Sequence, residues 1–190
     1  MIFEAIEFAT KAHVDHFRKG TKVPYIIHPL QVARILIESD CSDHVVIAGI
    51  LHDTVEDTPV TLDDIEQVFG KEVMNLVKSV SEPDKSDLWE QRKQHTIESL
   101  KTDPSDVLYV SLADKLDNIR AIKEDFDKVG DTVWDRFNRP YEQQKWYYEA
   151  LADAFVSRIV DDRYLALARL LGETVKSVFQ NHIHQAPYNQ

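Results

Sequence analysis

The sequence predicts an all-α protein. Three observations carry that prediction. Apolar residues recur at helical spacing along most of the 190 residues, and no period-two run is long enough for a convincing strand. Only five glycines and seven prolines punctuate the chain. Where those punctuators fall, they mark helix ends rather than hairpin turns.

The first helix is expected over about Ile2 to Phe17, with Ile2, Ile6, Ala9 and His13 on one stripe. "HPLQVARILIE" forms a second, with Pro29 tolerated in its first turn. "SDHVVIAGILHDTVED" reads as one continuous third helix stopped by Pro59. Thr61 then caps a short helix, with Asp64 three residues on and Val60 placed to staple Ile65. Gly70 is expected to close it in the left-handed conformation. "KEVMNLVKSV" follows, and "EPDKSD" reads as a polar loop. "LWEQRKQHTIESL" and "SDVLYVSLADKLDNIRAI" are helices parted at Asp103 and Pro104. "VGDTVWDRFNRP" is read as irregular, and two helices, "YEQQKWYYEALADAFVSRI" and "DRYLALARLLGETVKSVF", end the chain. The expected organisation is one domain over residues 1–180 and a polar, frayed tail over 181–190.

Composition narrows the function. With 22 basic and 33 acidic residues the net charge is −11, which argues against broad binding to nucleic acid or an anionic membrane. A local basic cluster or a bound cation still admits a small anionic ligand. No apolar run approaches membrane-spanning length, and "MIFEAIEFAT" reads as amphipathic helix rather than leader, so a cytoplasmic protein is expected. The single cysteine, Cys41, excludes an internal disulfide and a cysteine metal knuckle, and reads as a small buried or half-buried thiol.

One stretch asks for chemistry. "GILHDTVEDT" ends a buried-looking run and then places His52, Asp53, Glu56 and Asp57 within two turns. On a helix His52 stacks with Glu56, and Asp53 with Asp57, so the segment crowds carboxylates unless a cation sits among them. A divalent metal would relieve that crowding and take the imidazole as ligand. Two further ligand types interrupt apolar stripes: His28 in "YIIHPLQVA" and Asp114 in "LYVSLADKLDNI". Taken singly, a histidine before proline also serves as a cap, and an aspartate after "SLA" as a solvated helix position. The ordered set is more specific: His28, His-Asp 24 residues on, and Asp114 a further 61 residues beyond Asp53. The histidines at 13, 16, 44, 95, 182 and 184 lack this setting and read as structural or surface residues.

That set, with "RKG" before "PYIIHPLQVA", "AGILHDTVEDT", "FGKEVMNLVKSVS", "RKQHTIESL" and "LYVSLADKLDNIR", resembles the HD superfamily of metal-dependent phosphohydrolases. It is most similar to the hydrolase domain of the RelA/SpoT family and its stand-alone small alarmone hydrolases, including the metazoan SpoT homologues. The likeness covers about residues 2 to 122. It implies an HD-domain helical bundle with one Mn²⁺ per chain, other divalent metals being possible. It implies hydrolysis of the 3′-pyrophosphate of the stringent-response nucleotide (p)ppGpp to pyrophosphate and GDP or GTP. His28, His52, Asp53 and Asp114 match the metal ligands, and Glu56 and Asp57 the acid pair that orients water. Arg18 and Lys19 match a basic pair near the base, and Asn118 a ribose contact. Lys115, with Lys22, Arg92, Lys93 and Arg120, is a candidate for the phosphates, since no glycine-rich phosphate loop is present.

One departure bears on substrate. The family commonly reads "ADRLHN", whereas this chain reads "ADKLDN", with Lys115 for an arginine and Asp117 for a histidine. Asp117 could accept from an amino group of the base or point to solvent. The alternatives are an HD phosphohydrolase of another nucleotide, such as (p)ppApp, a dNTP or a nucleoside monophosphate, and a non-catalytic nucleotide sensor. The residues outside the likeness leave no room for a synthetase domain.

Overall fold

The computed structural model describes residues 1–82 and 86–179. The tail from Asn181, with His182 and His184, and the centre of the "EPDKSD" loop lie outside the described residues. Within them the chain is all-α, as the sequence predicts. The helices are α1 (Ile2–Ala12), α2 (Ile27–Glu38), α3 (Asp43–Leu51), α4 (Thr54–Asp57), α5 (Leu62–Phe69), α6 (Lys71–Val80), α7 (Trp89–Ser99), α8 (Ser105–Val129), α9 (Tyr141–Arg158) and α10 (Asp162–Phe179). Residues Gly130–Arg136, expected to be irregular, form a 3-10 turn that extends from the end of α8. Helix α8 itself runs seven residues past the expected Ile122, helped by the exposed Lys123–Asp127 pair one turn apart.

Helix α3 sits at the centre. Every residue from Val45 to Leu51 is buried, so its sequence is apolar all round rather than on one stripe. Helices α1, α2, α6 and α8 all pack on it, and α9 and α10 extend the core from the far side of α8. Close packing also reaches Gly49. A Cβ there would lie 2.4 Å from Leu36 Cδ1 and 3.3 Å from Val32 Cγ1, both in the core. Gly49→Ala is therefore expected to destabilise the fold by about 1–3 kcal/mol, the usual cost of overpacking. Urea unfolding of the variant measures this as a lower midpoint at unchanged slope.

Two helices are shorter than their apolar stripes suggest, and both breaks build the site. Helix α1 stops at Ala12; Asp15 takes φ +62°, which aspartate tolerates better than most residues. The chain then doubles back through an isolated antiparallel bridge between Phe17 and Pro24. The tip of that reversal is "RKGT", closed by Thr21 N–H donating to Arg18 O at 2.9 Å. Gly20 takes φ +73° at its third position, a conformation that glycine adopts at no steric cost.

The expected continuous helix through "HDTVED" also breaks. It ends at Leu51 and resumes as the single turn α4. Side chains compete for its last carbonyls: His52 Nδ1 donates to Gly49 O at 2.8 Å, and Thr54 Oγ1 to Leu51 O at 2.7 Å. The cap of α5 is as expected. Asp64 N–H donates to Thr61 Oγ1, and Thr61 N–H to Asp64 Oδ2. Gly70 has the expected positive φ, +86°, but ψ 166° rather than the left-handed helical value. That extended ψ lets one residue both end α5 and begin α6. Cys41 is half-buried, its Sγ 3.2 Å from Tyr164 Oη.

Candidate functional site

Three helices bring four of the expected residues to one point. His28 lies in the first turn of α2, His52 caps α3 with Asp53 following, and Asp114 is midway along α8. His28, His52 and Asp114 are 2%, 4% and 8% exposed, far too buried to be surface groups. His28 Nε2 lies 3.2 Å from Asp114 Oδ1 and 3.6 Å from Asp53 Oδ2. His52 Nε2 lies 3.0 Å from Asp53 Oδ2 and 3.8 Å from Asp114 Oδ1. One atom from each of His28, His52 and Asp114 falls within a 4.8 Å group.

The donor set fits a divalent cation. Gly49 O can only accept, so His52 must carry its proton on Nδ1, which leaves a lone pair on Nε2. That Nε2 is buried and has no hydrogen-bond partner among the described residues, with Asp53 Oδ2 3.0 Å away. An orphaned buried nitrogen among carboxylates is costly unless something positive takes its lone pair. A cation bound at about 2.0–2.2 Å holds neighbouring ligand atoms about 3.0–3.6 Å apart, close to the spacings seen.

The clustered side chains are held in turn from behind. Tyr25 Oη donates to Asp53 Oδ2 at 2.5 Å, and burial together with the Asp53 charge pushes its phenol far up. Lys115 Nζ donates to Asp114 Oδ2 at 2.6 Å, and Asn118 Nδ2 to Asp114 Oδ1. Burial alone would raise the Asp114 carboxyl, but Lys115, His28 and His52 hold it well below the usual carboxylate range. Burial would likewise lower Lys115, yet Asp114 outweighs it and carries the ammonium well up. Burial also presses the His52 imidazole down, while Asp53, Asp114 and the Gly49 bond bring it up to about 9. The carboxylates of the cluster thus favour a positive charge among them, whether a proton or a metal ion.

A cavity of about 350 Å³ opens beside the cluster. Glu56 lines it, with Oε1 accepting the Glu82 backbone N–H at 2.6 Å. Arg92 donates to Glu82 Oε2 at 2.9 Å and Lys93 to Glu82 Oε1, so both expected phosphate-side cations reach this wall. Asp57 is placed differently. It is exposed and stands outside that lining, close enough to act on Tyr25 and His13 through its charge.

A second cavity, of about 560 Å³, adjoins the first through Tyr25 and Asn118. Arg18, Lys19, Arg120 and Asn118 line it, and Lys22 is exposed outside the lining. Arg18 Nη2 donates to Asn118 Oδ1 at 2.7 Å and its guanidinium sits 5.8 Å from the Tyr25 ring centre. Lys19 Nζ donates to Asn138 at 3.1 Å. Arg18, Asn118, Asp114 and Lys115 thus form one bonded chain from the basic cavity to the metal cluster.

Sequence reasoning missed two contributors and the contact made by a third. Tyr25 lies inside the quoted "PYIIHP" but carried no ligand chemistry to flag it. Glu82 sits in a stretch that reads as an ordinary polar loop. Asp117 neither faces solvent nor stands free for the base: its Oδ2 accepts from His28 Nδ1 at 2.6 Å. The i, i+3 spacing from Asp114 was the available signal.

Comparison with known proteins agrees with the helical fold. The family model described as HD domain matches residues 5–139. The mouse guanosine-3′,5′-bis(diphosphate) 3′-pyrophosphohydrolase MESH1 is 39% identical over 148 residues, covering 76% of this chain and 79% of its own. A 1.85 Å crystal structure of lmo0812 from Listeria monocytogenes superposes with TM-score 0.75 at 39% identity, over 80% of this chain and 99% of that one. A solved metazoan ortholog of SpoT, described as hydrolysing ppGpp with a role in starvation responses, gives TM-score 0.71 at 28% identity, over 94% and 93%. On the match to more than half its length and its likeness to MESH1, the chain belongs to the HD domain family, among the MESH1-like members.

Proposed function

We propose that the chain hydrolyses the 3′-pyrophosphate of (p)ppGpp to pyrophosphate and GDP or GTP, using one divalent cation, Mn²⁺ in the first instance. The observation that carries this reading is the buried lone pair of His52 aimed into a His-His-Asp-Asp cluster at the join of two cavities, one of them lined by Arg18 and Lys19. The names of the MESH1 relatives support the choice of substrate. His28, His52, Asp53 and Asp114 would hold the ion. Such an ion, when bound, acidifies water and offsets charge that builds on phosphorus.

The chain's own residues supply the rest. Glu56, fixed by the Glu82 N–H, presents a carboxylate that accepts the proton of the attacking water. Asp57 supports from outside the cavity through its field. Lys115, Arg92 and Lys93, which line the same cavity, meet the phosphates. Arg18 and Lys19 take the base side and Asn118 the ribose, each already positioned by a hydrogen bond. The substrate is a small nucleotide met in a cleft; a polymer of nucleic acid or a membrane surface would face a chain of net charge −11. A cytoplasmic setting follows from that substrate, and no described helix is long and apolar enough to cross a membrane.

The test is a parallel incubation of the Mn²⁺-loaded protein with ppGpp, ppApp, dGTP and a nucleoside monophosphate, with products resolved by ion-exchange chromatography. GDP and pyrophosphate from ppGpp are expected, at the highest kcat/KM of the set. Turnover of dGTP or the monophosphate in preference to ppGpp would replace this reading with a broader HD phosphohydrolase.

A further inference from the structure

At position 117 this chain departs from the pattern its own sequence otherwise follows, and the structure shows what the aspartate touches. Asp117 Oδ2 lies 2.6 Å from His28 Nδ1, and both side chains are largely withdrawn from solvent. A carboxylate can only accept, so the contact puts the imidazole proton on Nδ1. The Nε2 lone pair then faces Asp114 and Asp53. The ring has little freedom to turn, being wedged edge-on between Tyr25 and His52 at centroid distances of 5.9 and 5.1 Å. Asp117 and Asp114 are three residues apart on α8 and so share a face. One helix face therefore contributes both a ligand and the support of another ligand.

We propose that Asp117 is a positioning residue that fixes the His28 tautomer and tightens metal binding through it. This rests on His28 being a ligand, as set out above. The two histidines are supported unequally. His52 leans on a neutral backbone carbonyl, Gly49 O, whereas His28 leans on an anion. An anionic acceptor makes a stronger bond than a neutral one does and so holds the ring and its tautomer more firmly. It also explains how an acid can line the basic cavity next to Asn118 and Arg18 without opposing an anionic substrate: its charge is directed onto His28. The choice of base then falls to Arg18 and its neighbours.

The experiment titrates Mn²⁺ into metal-stripped protein by calorimetry and reads the His28 tautomer by ¹⁵N NMR, for wild type, Asp117→Ala and Asp117→Asn. Asp117→Ala is expected to weaken Mn²⁺ about 10- to 100-fold and to move the His28 proton off Nδ1. Asp117→Asn keeps an acceptor but no charge, so it is expected to retain the tautomer and lose less affinity. Equal affinity and an unmoved tautomer in Asp117→Ala overturn the assignment and leave the ligand set standing. Wild type that takes up no Mn²⁺ overturns both. A purely structural role would lower the unfolding midpoint without moving the tautomer. Should Asp117→Ala fail to fold, Asp117→Asn decides, since affinity equal to wild type overturns the role of the charge.

Discussion

His52→Ala is expected to strip the metal and nearly all turnover while leaving helix content intact. The side chain is buried, its Nδ1 is committed to Gly49 O, and its Nε2, turned toward Asp53 and Asp114, has no hydrogen-bond partner among the described residues. Alanine removes that lone pair and opens a void no other ligand can fill, because His28 and Asp114 are each held in place by their own bonds. A metal contributes several kcal/mol of charge stabilisation to such a reaction, and about 4 kcal/mol corresponds to roughly 10³-fold in rate. The fold loses less. One hydrogen bond at the end of α3 goes, worth about 0.5–1.5 kcal/mol, alongside the void. Metal content by mass spectrometry, turnover and circular dichroism should therefore separate. If the variant keeps a full complement of metal, His52 leaves the ligand set.

Glu56→Gln is expected to give the complementary result: metal retained, turnover lost. Glutamine has the same shape, and its amide oxygen can still accept from Glu82 N–H, so the local fold survives. What it lacks is the capacity to take a proton from water. Loss of a positioned general base costs about 10²–10⁴-fold, and the loss belongs in kcat rather than KM, since Glu56 is assigned to the water and not to the nucleotide. Turnover at the wild-type rate would make Glu56 a buttress of the Glu82 segment and nothing more. Run together, the two variants part the metal from the base: one empties the site, the other leaves it full and idle.

The sequence by itself determined the helical class, most helix positions and the candidate residues of the His-Asp cluster. Periodicity is a local property, so α5 with its Thr61–Asp64 box and the break at Pro104 were legible without a structure. The ordered His28, His52-Asp53 and Asp114 set was legible too, because polar residues that interrupt apolar stripes stand out against their own helices. Helix ends near the site were less so. Nothing local shows that α1 yields to a reversal carrying Arg18, or that "HDTVED" breaks after Leu51. The break after Leu51 goes with the carbonyls that the side chains of His52 and Thr54 capture.

Only the tertiary structure decided the roles behind the ligands. Asp117 and His28 are 89 positions apart, Arg18 and Asn118 100, and Glu56 and Glu82 26. A hydrogen bond between such residues leaves no periodic trace, since each partner keeps a spacing that suits its own helix. The carboxylates illustrate this. In sequence Glu56 and Asp57 are an equivalent pair, yet one lines the cavity and the other stands exposed, because adjacent residues on a helix point about 100° apart. Asp117 stood out in the sequence as a departure from the family pattern, yet only the packing of α2 on α8 set its carboxylate against His28 Nδ1, the nitrogen of that ring turned away from the cluster.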